Sequence, residues 1–293
     1  MKTIIFSIGA IGRLFYRKFK NNKTYNIIGF IDNNPKLDGT TYDNKPIYLV
    51  ENINDIDFDK ILIGGVHYES MYNQLKELGI DDEKIEMIED DQITYSDDIR
   101  SKDVDKIVKT FCDVMEKEKI RYYLIASSLL CLLRGDDLSK VSDVDIMLDS
   151  KEDVKKAYDI FKKYETELKI DVNYYPIENT TSFLEKGDPS FVTISSKNDP
   201  TISEPAVIDL NIIFKSDNHR FYRLGDKYIY FDKSYFEKVI YLDYKDFKIP
   251  APLEYDKYLS ETYGKDYIVP PKRWSHSRDM NLCTEEELLK IIK

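Results

Sequence analysis

Two aspartates separated by one residue stand at the head of a short apolar run, and their spacing suggests metal chemistry. Asp143 and Asp145 precede residues 146–148, Ile-Met-Leu. Side chains alternate along a strand, so both carboxylates are expected on one face. Adjacent carboxylates repel each other unless a cation neutralises them, and Mg²⁺ or Mn²⁺ bound by oxygen ligands does this. The alternative is a solvated acidic loop, because Asp-x-Asp is a common pair.

A third aspartate lies in the middle of an apolar run, residues 206–214. Asp209 is flanked there by Ile208 and Leu210. A carboxylate inside an apolar strand is costly unless it is paired or bound to a metal. We therefore predict that Asp209 either completes the metal site or accepts the proton of an acceptor hydroxyl, two roles that the sequence does not separate. The alternative is a salt bridge to a Lys or Arg.

Phosphate-binding candidates come shortly before the acidic pair. Ser127 and Ser128 open a short apolar helix, and Arg134 follows it. Hydroxyl groups, N–H groups at a helix start and a guanidinium all bind phosphate oxygens. We predict that these three residues contact substrate. Residues 270–278 form a basic segment with one Trp, which either binds a nucleotide or is a solvated tail.

The elements that must position these residues follow from hydrophobic periodicity. Apolar residues at helical spacing predict helices from Val104 to Met115 and over 151–164. Strand-like runs occur at 121–125, 170–175, 191–195, 206–214 and 227–231. Helices and strands in this order predict an α+β domain over residues 104–293.

The first ninety residues show a different pattern, strand-turn-helix-strand. Gly9 and Gly12 lie in the turn after the first strand, and Asp32 ends the second. Such glycines let a phosphate approach a helix N-terminus, and the acid can bind a ribose hydroxyl. This predicts a doubly wound parallel sheet over 1–90 with nucleotide binding at Gly9, Gly12 and Asp32. The alternative is that the glycines only allow close packing of strand and helix.

Composition limits the class of protein. The 293 residues are enough for two domains, and residues 91–103, rich in Asp and Ser, predict a linker between them. Hydrophobic residues make up 42% of the chain, which predicts a packed globular protein. The net charge of −11 argues against nucleic-acid binding, and no apolar stretch is long enough to span a membrane. The three scattered cysteines fit a reducing cytoplasm, with peripheral attachment to the inner face of the membrane left open.

Two resemblances follow from these motifs. The run Gly29-Phe30-Ile31-Asp32-Asn33-Asn34 and the later Gln74–Ile80 resemble the Rossmann-like N-terminal modules of bacterial surface-polysaccharide enzymes. The serines, Asp-x-Asp and Asp209 resemble the DNA polymerase β-like nucleotidyltransferase fold. Within that fold, Tyr123–Ile146 is similar to the signature of the LicD phosphotransferases. Tyr258-Leu259-Ser260-Glu261-Thr262-Tyr263-Gly264-Lys265-Asp266-Tyr267 is similar to a later motif of that family.

The LicD resemblance implies a fold, an activity and partners. It implies a nucleotidyltransferase-like domain with a mixed sheet, in which Asp143, Asp145 and Asp209 bind Mg²⁺. It implies transfer of a phospho-alcohol, such as phosphocholine, from a CDP-linked donor to a hydroxyl of a capsule or lipopolysaccharide glycan. Ser127 and Cys131 stand where the family has glycines. The alternatives are transfer of a nucleoside monophosphate to an acceptor, or a non-catalytic scaffold in glycan assembly.

Overall fold

Short β-branched runs near the start of the chain form a sheet in the order β3-β4-β2-β1-β5-β6. Every neighbouring pair is parallel except the short β3–β4 hairpin. Parallel strands place their carboxyl ends at one edge, where ligands of α/β sheets bind. The elements are β1 (Lys2–Phe6), α1 (Ala10–Phe19), β2 (Asn26–Asp32), β3 (Thr41–Tyr42), β4 (Lys45–Leu49), β5 (Lys60–Ile63), α2 (Tyr68–Glu77) and β6 (Ile85–Met87).

This computed structural model describes residues 1–65, 67–89, 94–270 and 281–293, which fall into two units. The first unit contains Met1–Tyr95 and, from much later in the chain, Asn198–Glu204. The second contains Ser96–Lys197, Pro205–Val269 and residues 281–293. No helix within these described ranges is both long and apolar enough to cross a membrane.

The returning segment is anchored in the first unit by a buried carboxylate. Glu204 accepts hydrogen bonds from Arg13 at 2.6 and 3.0 Å and from Arg17 at 2.7 Å. Both arginines lie on α1, and Glu204 is almost fully buried. A buried carboxylate requires such pairing. These ion pairs explain why Asn198–Glu204 belongs to the first unit although the residues on both sides of it belong to the second.

The second unit mixes helices and antiparallel strands, and it contains all of the acidic candidates. Its elements up to the last acidic candidate are α3 (Asp98–Glu118), β7 (Tyr122–Leu124), α4 (Ala126–Leu133), β8 (Val144–Leu148), α5 (Lys151–Leu168), β9 (Ile170–Pro176), β10 (Pro189–Ser196) and β11 (Val207–Ile212). The later elements are β12 (Phe214–Lys215), β13 (His219–Leu224), β14 (Lys227–Asp232), β15 (Val239–Tyr244), β16 (Phe247–Pro252), α6 (Tyr255–Tyr263), β17 (Leu282–Cys283) and α7 (Glu285–Ile291).

The central sheet of the second unit has the order β7-β8-β11-β10-β9. Its β8 and β11 are parallel neighbours, whereas the other pairs are antiparallel. Helix α5 packs on one face through Val154, Ala157 and Phe161, and Phe161 stacks on Phe111 of α3. The two helices therefore cover one face of this mixed sheet. The chain is a mixed α/β protein, as the sequence predicted.

Two element boundaries differ from the sequence prediction. Helix α3 begins at Asp98, inside the predicted linker, because the Asp97 side chain accepts from the N–H groups of Ile99 and Arg100 as an N-cap. Strand β8 begins at Val144, so Asp145 lies within the strand and Asp143 just before it. Part of the predicted linker, residues 91–93, lies outside the described residues.

Candidate active site

The structure brings two of the predicted acids side by side. Asp145 on β8 and Asp209 on β11 are direct register partners across the parallel pair. Register partners point to the same face of a sheet. Both side chains are half-buried, and Oδ1 of Asp209 is buried with no hydrogen-bond partner among the described residues. The alternative of a buried ion pair at Asp209 therefore has no support in this geometry.

The two serines at the start of α4 hold the acidic loop in different ways. Ser128 is fully buried, and its hydroxyl donates to the Asp143 carbonyl at 3.1 Å and accepts from the Asp145 N–H at 2.8 Å. Ser127 is exposed and donates to Oδ2 of Asp145 at 3.0 Å. Ser128 thus fixes the backbone of the loop, whereas Ser127 leaves its hydroxyl on the open side, beside the carboxylate.

The surroundings of Asp145 and Asp209 disfavour the charged forms of these two carboxylates. Burial raises the pKa of Asp145 well above its ordinary value, and the charges of Asp143 and Asp209 raise it further. Burial also raises the pKa of Asp209 to about 7, with a smaller contribution from Asp143. Desolvation and like charge are the two causes that push a carboxyl pKa upward. A bound cation would offset both effects, because it attracts the charged carboxylates.

The donor set suits a hard cation without forming a closed cage. Among the described residues, no group of three or more His, Cys, Asp or Glu side chains is arranged to hold a metal ion. Mg²⁺, however, usually takes one or two protein carboxylates and completes its shell with water and substrate phosphates. The unpartnered Oδ1 of Asp209 and the raised pKa of Asp145 fit this kind of open site.

A residue that the sequence analysis missed joins the two acidic strands. Arg100 of α3 is almost fully buried. Its guanidinium donates to the carbonyls of Ser139, Val141 and Ser142 in the loop before Asp143, and to Pro205 just before β11. The planar guanidinium, with donors along its edges, suits this task. Nothing in the sequence pattern indicated it, because Arg100 falls in the predicted linker.

Arg134 contacts the backbone of the later motif. Its guanidinium donates to the carbonyls of Ile268, at 3.0 Å, and Tyr267. At the other end of α4, the Tyr258 hydroxyl accepts from the N–H of Ala126 at 3.1 Å. Ala126 has a left-handed φ of 50°, which is strained for alanine. Residues 258–268, which include the later motif, thus hold both ends of α4, so Arg134 has a structural task besides the predicted phosphate contact.

The predicted nucleotide loop of the first unit is explained largely by packing. A Cβ on Gly12 would lie 1.8 Å from the Ser7 carbonyl oxygen, so only glycine fits. Asp32 accepts the backbone N–H groups of Ile8 and Asn34, each at 2.9 Å. Ser7 has a φ of 77°, and Ser7-x-Gly9-x-x-Gly12 has the spacing of the dinucleotide fingerprint with Ser in place of the first glycine. Nucleotide binding here stays a prediction.

A shallow cavity of about 280 Å³ lies elsewhere in the first unit. It is lined by Tyr16, Lys20, Asn26 and Lys45, among others. Asn26 is the first residue of β2, so this cavity is at the opposite end of that strand from Asp32. The basic segment with the Trp, residues 271–278, lies outside the described residues.

Comparison with known proteins adds one family match. Residues 1–86 match the family model described as C2185-like, N-terminal. The match covers under a third of the chain and describes this segment alone. No curated protein matches the chain.

Solved structures show only weak likeness. One is a lincosamide antibiotic adenylyltransferase, LnuA, with lincomycin bound, which is 17% identical to this chain. The match covers 56% of this chain and 92% of the LnuA chain, with a TM-score of 0.35. A protein named RSP in complex with β-NADH is 19% identical, covers 40% of this chain and 60% of its own, and has a TM-score of 0.25. At these TM-scores neither likeness carries an argument about fold or activity.

Proposed function

We propose that this chain is a Mg²⁺-dependent transferase that moves a phosphorus-containing group from a nucleotide-linked donor to a hydroxyl. One observation carries the proposal. Asp145 and Asp209 are neighbours on parallel strands, Asp143 lies two residues before Asp145, and Oδ1 of Asp209 is buried without a partner among the described residues. Burial and the charge of Asp143 raise the pKa of both Asp145 and Asp209, so a bound cation would stabilise their charged forms, and a cation in an open carboxylate site recruits phosphates.

Each residue has a role in this proposal. Asp143 and Asp145 would hold Mg²⁺, which would neutralise charge on the donor phosphates. Ser127, exposed beside Asp145, would donate to a phosphate oxygen. Ser128 and Arg100 would keep the acidic loop in place.

The chemical step follows from these roles. The acceptor hydroxyl oxygen forms a bond to the donor phosphorus while the bond from that phosphorus to the leaving nucleotide breaks. The hydroxyl proton passes to a base. Asp209 suits that role because it lies beside Asp145, and in the metal-free protein burial raises its pKa to about 7. The alternative role of Asp209, as a third metal ligand, would lower its pKa instead.

The donor is the finer part of the proposal. The LicD-like motifs support a CDP-linked phospho-alcohol, such as CDP-choline, and a glycan hydroxyl as the acceptor. These motifs lie outside residues 1–86, the part that matches a family model, so they rest on sequence resemblance. The second candidate is nucleotidyl transfer, which the same three acids would support equally well. A non-catalytic scaffold is the third, motivated by Ser127 and Cys131 in place of the family's glycines.

Product analysis separates these candidates. The protein would be incubated with Mg²⁺, a neutral oligosaccharide acceptor and CDP-choline, CDP-ethanolamine, CDP-glycerol or CDP-ribitol, and separately with the same acceptor and nucleoside triphosphates. Release of CMP supports phospho-alcohol transfer, and release of pyrophosphate supports nucleotidyl transfer. Asp145→Asn should abolish either product. Asp226→Asn, in the exposed turn between β13 and β14, is the matched control and should change neither. If the protein forms neither product and binds no Mg²⁺, the non-catalytic scaffold is the candidate that remains.

A further inference from the structure

A row of polar side chains runs from the acidic site across the central sheet. Asp145 on β8 is the register partner of Asp209 on β11. Asp209 is in turn the partner of Thr193 on β10, and Thr193 is the partner of Asn173 on β9. These four residues therefore share one face of the sheet. Neighbouring strands are about 4.8 Å apart, so the row extends about 10 Å from Asp209 to Asn173.

This face is opposite the one that the helices cover. Residues on alternate positions of the same strands, such as Val172 and Val192, are fully buried. Tyr174 contacts Tyr158 of α5, with ring centroids 5.2 Å apart. By contrast, Asn173 is exposed and Thr193 is half-buried. The polar row therefore lies on the other side of the sheet from α5, and it is most exposed at Asn173.

An aromatic pair follows the polar row on the same face. Tyr175 on β9 and Phe191 on β10 are register partners, two residues along their strands from Asn173 and Thr193. Their rings stack with centroids 4.4 Å apart and an angle of 12°, and Tyr175 is 42% exposed. An exposed, ordered aromatic surface next to polar groups is typical of a binding site.

Charge restricts what this face can bind. Asp145 and Asp209 lie at one end of the row, whereas Asp171, the partner of Ser195 on the same face, is paired with Lys197 at 3.1 Å. The carboxylates of Asp145 and Asp209 repel phosphates and other anions that are not carried by a metal. A neutral ligand rich in hydroxyl groups can hydrogen-bond to Asn173 and Thr193 and stack a ring face on Tyr175.

We propose that this sheet face binds a neutral carbohydrate acceptor. Its ring would stack on Tyr175 and Phe191, and its chain would follow Asn173 and Thr193 toward Asp209. The span of about 10 Å is comparable with a disaccharide, so a hydroxyl of the ligand would reach the carboxylates. This inference rests on the proposed function, because it assigns that reaction's acceptor subsite.

The test uses the full chain on an array of neutral bacterial surface oligosaccharides. We expect the wild-type protein to retain at least one glycan and Tyr175→Ala to bind it about tenfold more weakly, because the apolar ring face is removed. Tyr175→Phe keeps the ring and should restore binding. Tyr241→Ala is the matched control, because Tyr241 on β15 is 54% exposed but lies outside this sheet.

A parallel titration distinguishes this inference from the proposed function. Binding of CMP with Mg²⁺, measured as a thermal shift, should be the same in wild type, Tyr175→Ala and Tyr241→Ala. If the wild-type protein binds a glycan but does not bind CMP, the proposed transferase activity is refuted and the carbohydrate site still stands. Retention of no glycan by the wild type, or equal retention by Tyr175→Ala, would overturn the inference.

Discussion

Replacing Asp209 by Asn should stabilise the metal-free protein, and the effect should depend on pH. Burial raises the pKa of Asp209 from 3.8 to about 7 in the folded protein. Between these values the folded state binds more protons than the unfolded state, so the contribution of Asp209 to stability falls as pH rises. Below pH of about 4 the carboxyl is neutral in both states, and Asn should behave like Asp.

The magnitude follows from the size of the shift. A shift of about three units, at about 1.4 kcal/mol each, amounts to about 4 kcal/mol above pH 7. Water at the partly exposed side chain lowers this penalty, so we expect about 2 kcal/mol in practice. For a protein of this size, that raises the melting temperature by about 4–8 °C.

The assay is a series of thermal melts in EDTA from pH 4 to pH 8, comparing wild type, Asp209→Asn and the exposed control Asp226→Asn. Asp209→Asn should match wild type at pH 4 and melt higher at pH 8, whereas Asp226→Asn should match it throughout. If Asp209→Asn melts clearly lower than wild type at pH 8, its charge has a cationic partner and the reasoning is wrong. A pH-independent difference would also refute it.

Three other predictions address the remaining parts of the site. Asp143→Asn and Asp145→Asn should each abolish product release. Their far-ultraviolet circular dichroism spectra should match that of the wild type. Near-normal turnover in either variant would refute the assignment of these residues as metal ligands. Arg100→Lys should lower the free energy of unfolding in urea by about 2–4 kcal/mol, because an ammonium cannot reach all four carbonyls. The control is Lys102→Ala at an exposed position of the same helix, which should change that free energy by less than about 0.5 kcal/mol. If Arg100→Lys has the same free energy of unfolding as the wild type, the contacts with the carbonyls are dispensable. Asp32→Ala should lower the melting temperature, since two backbone N–H groups lose their acceptor, and should leave product release intact; lost product release would tie the first unit to the chemistry.

Local sequence signals predicted the secondary structure around the candidate residues. The apolar runs around Asp145 and Asp209 indicated strands, and both lie in strands. The hydroxyl pair was expected to open a helix, and α4 begins at Ala126, one residue before Ser127. Such features depend on periodicity and residue type, which neighbouring residues fix.

Long-range contacts could not be predicted in the same way. The parallel pairing of β8 with β11 joins segments more than sixty residues apart, and only this pairing places Asp145 beside Asp209. Arg100 falls in the predicted linker, and two of its hydrogen-bond acceptors, the carbonyls of Ser139 and Pro205, come from loops much later in the chain. Likewise, the sequence predicted a phosphate contact for Arg134 but not its hydrogen bond to the carbonyl of Ile268, more than 130 residues away. Pairings of this kind arise from tertiary packing.

The most direct test of the central claim is a calorimetric titration of Mg²⁺ into the protein in the presence of CMP. The account predicts one saturable site in the wild type and in Asp226→Asn. Asp145→Asn should lose the site, because one of its carboxylates is removed. Binding in the wild type should weaken at acid pH, since protons compete with the metal for the carboxylates. Mg²⁺ binding that is absent from the wild type, or unchanged in Asp145→Asn, would contradict the account.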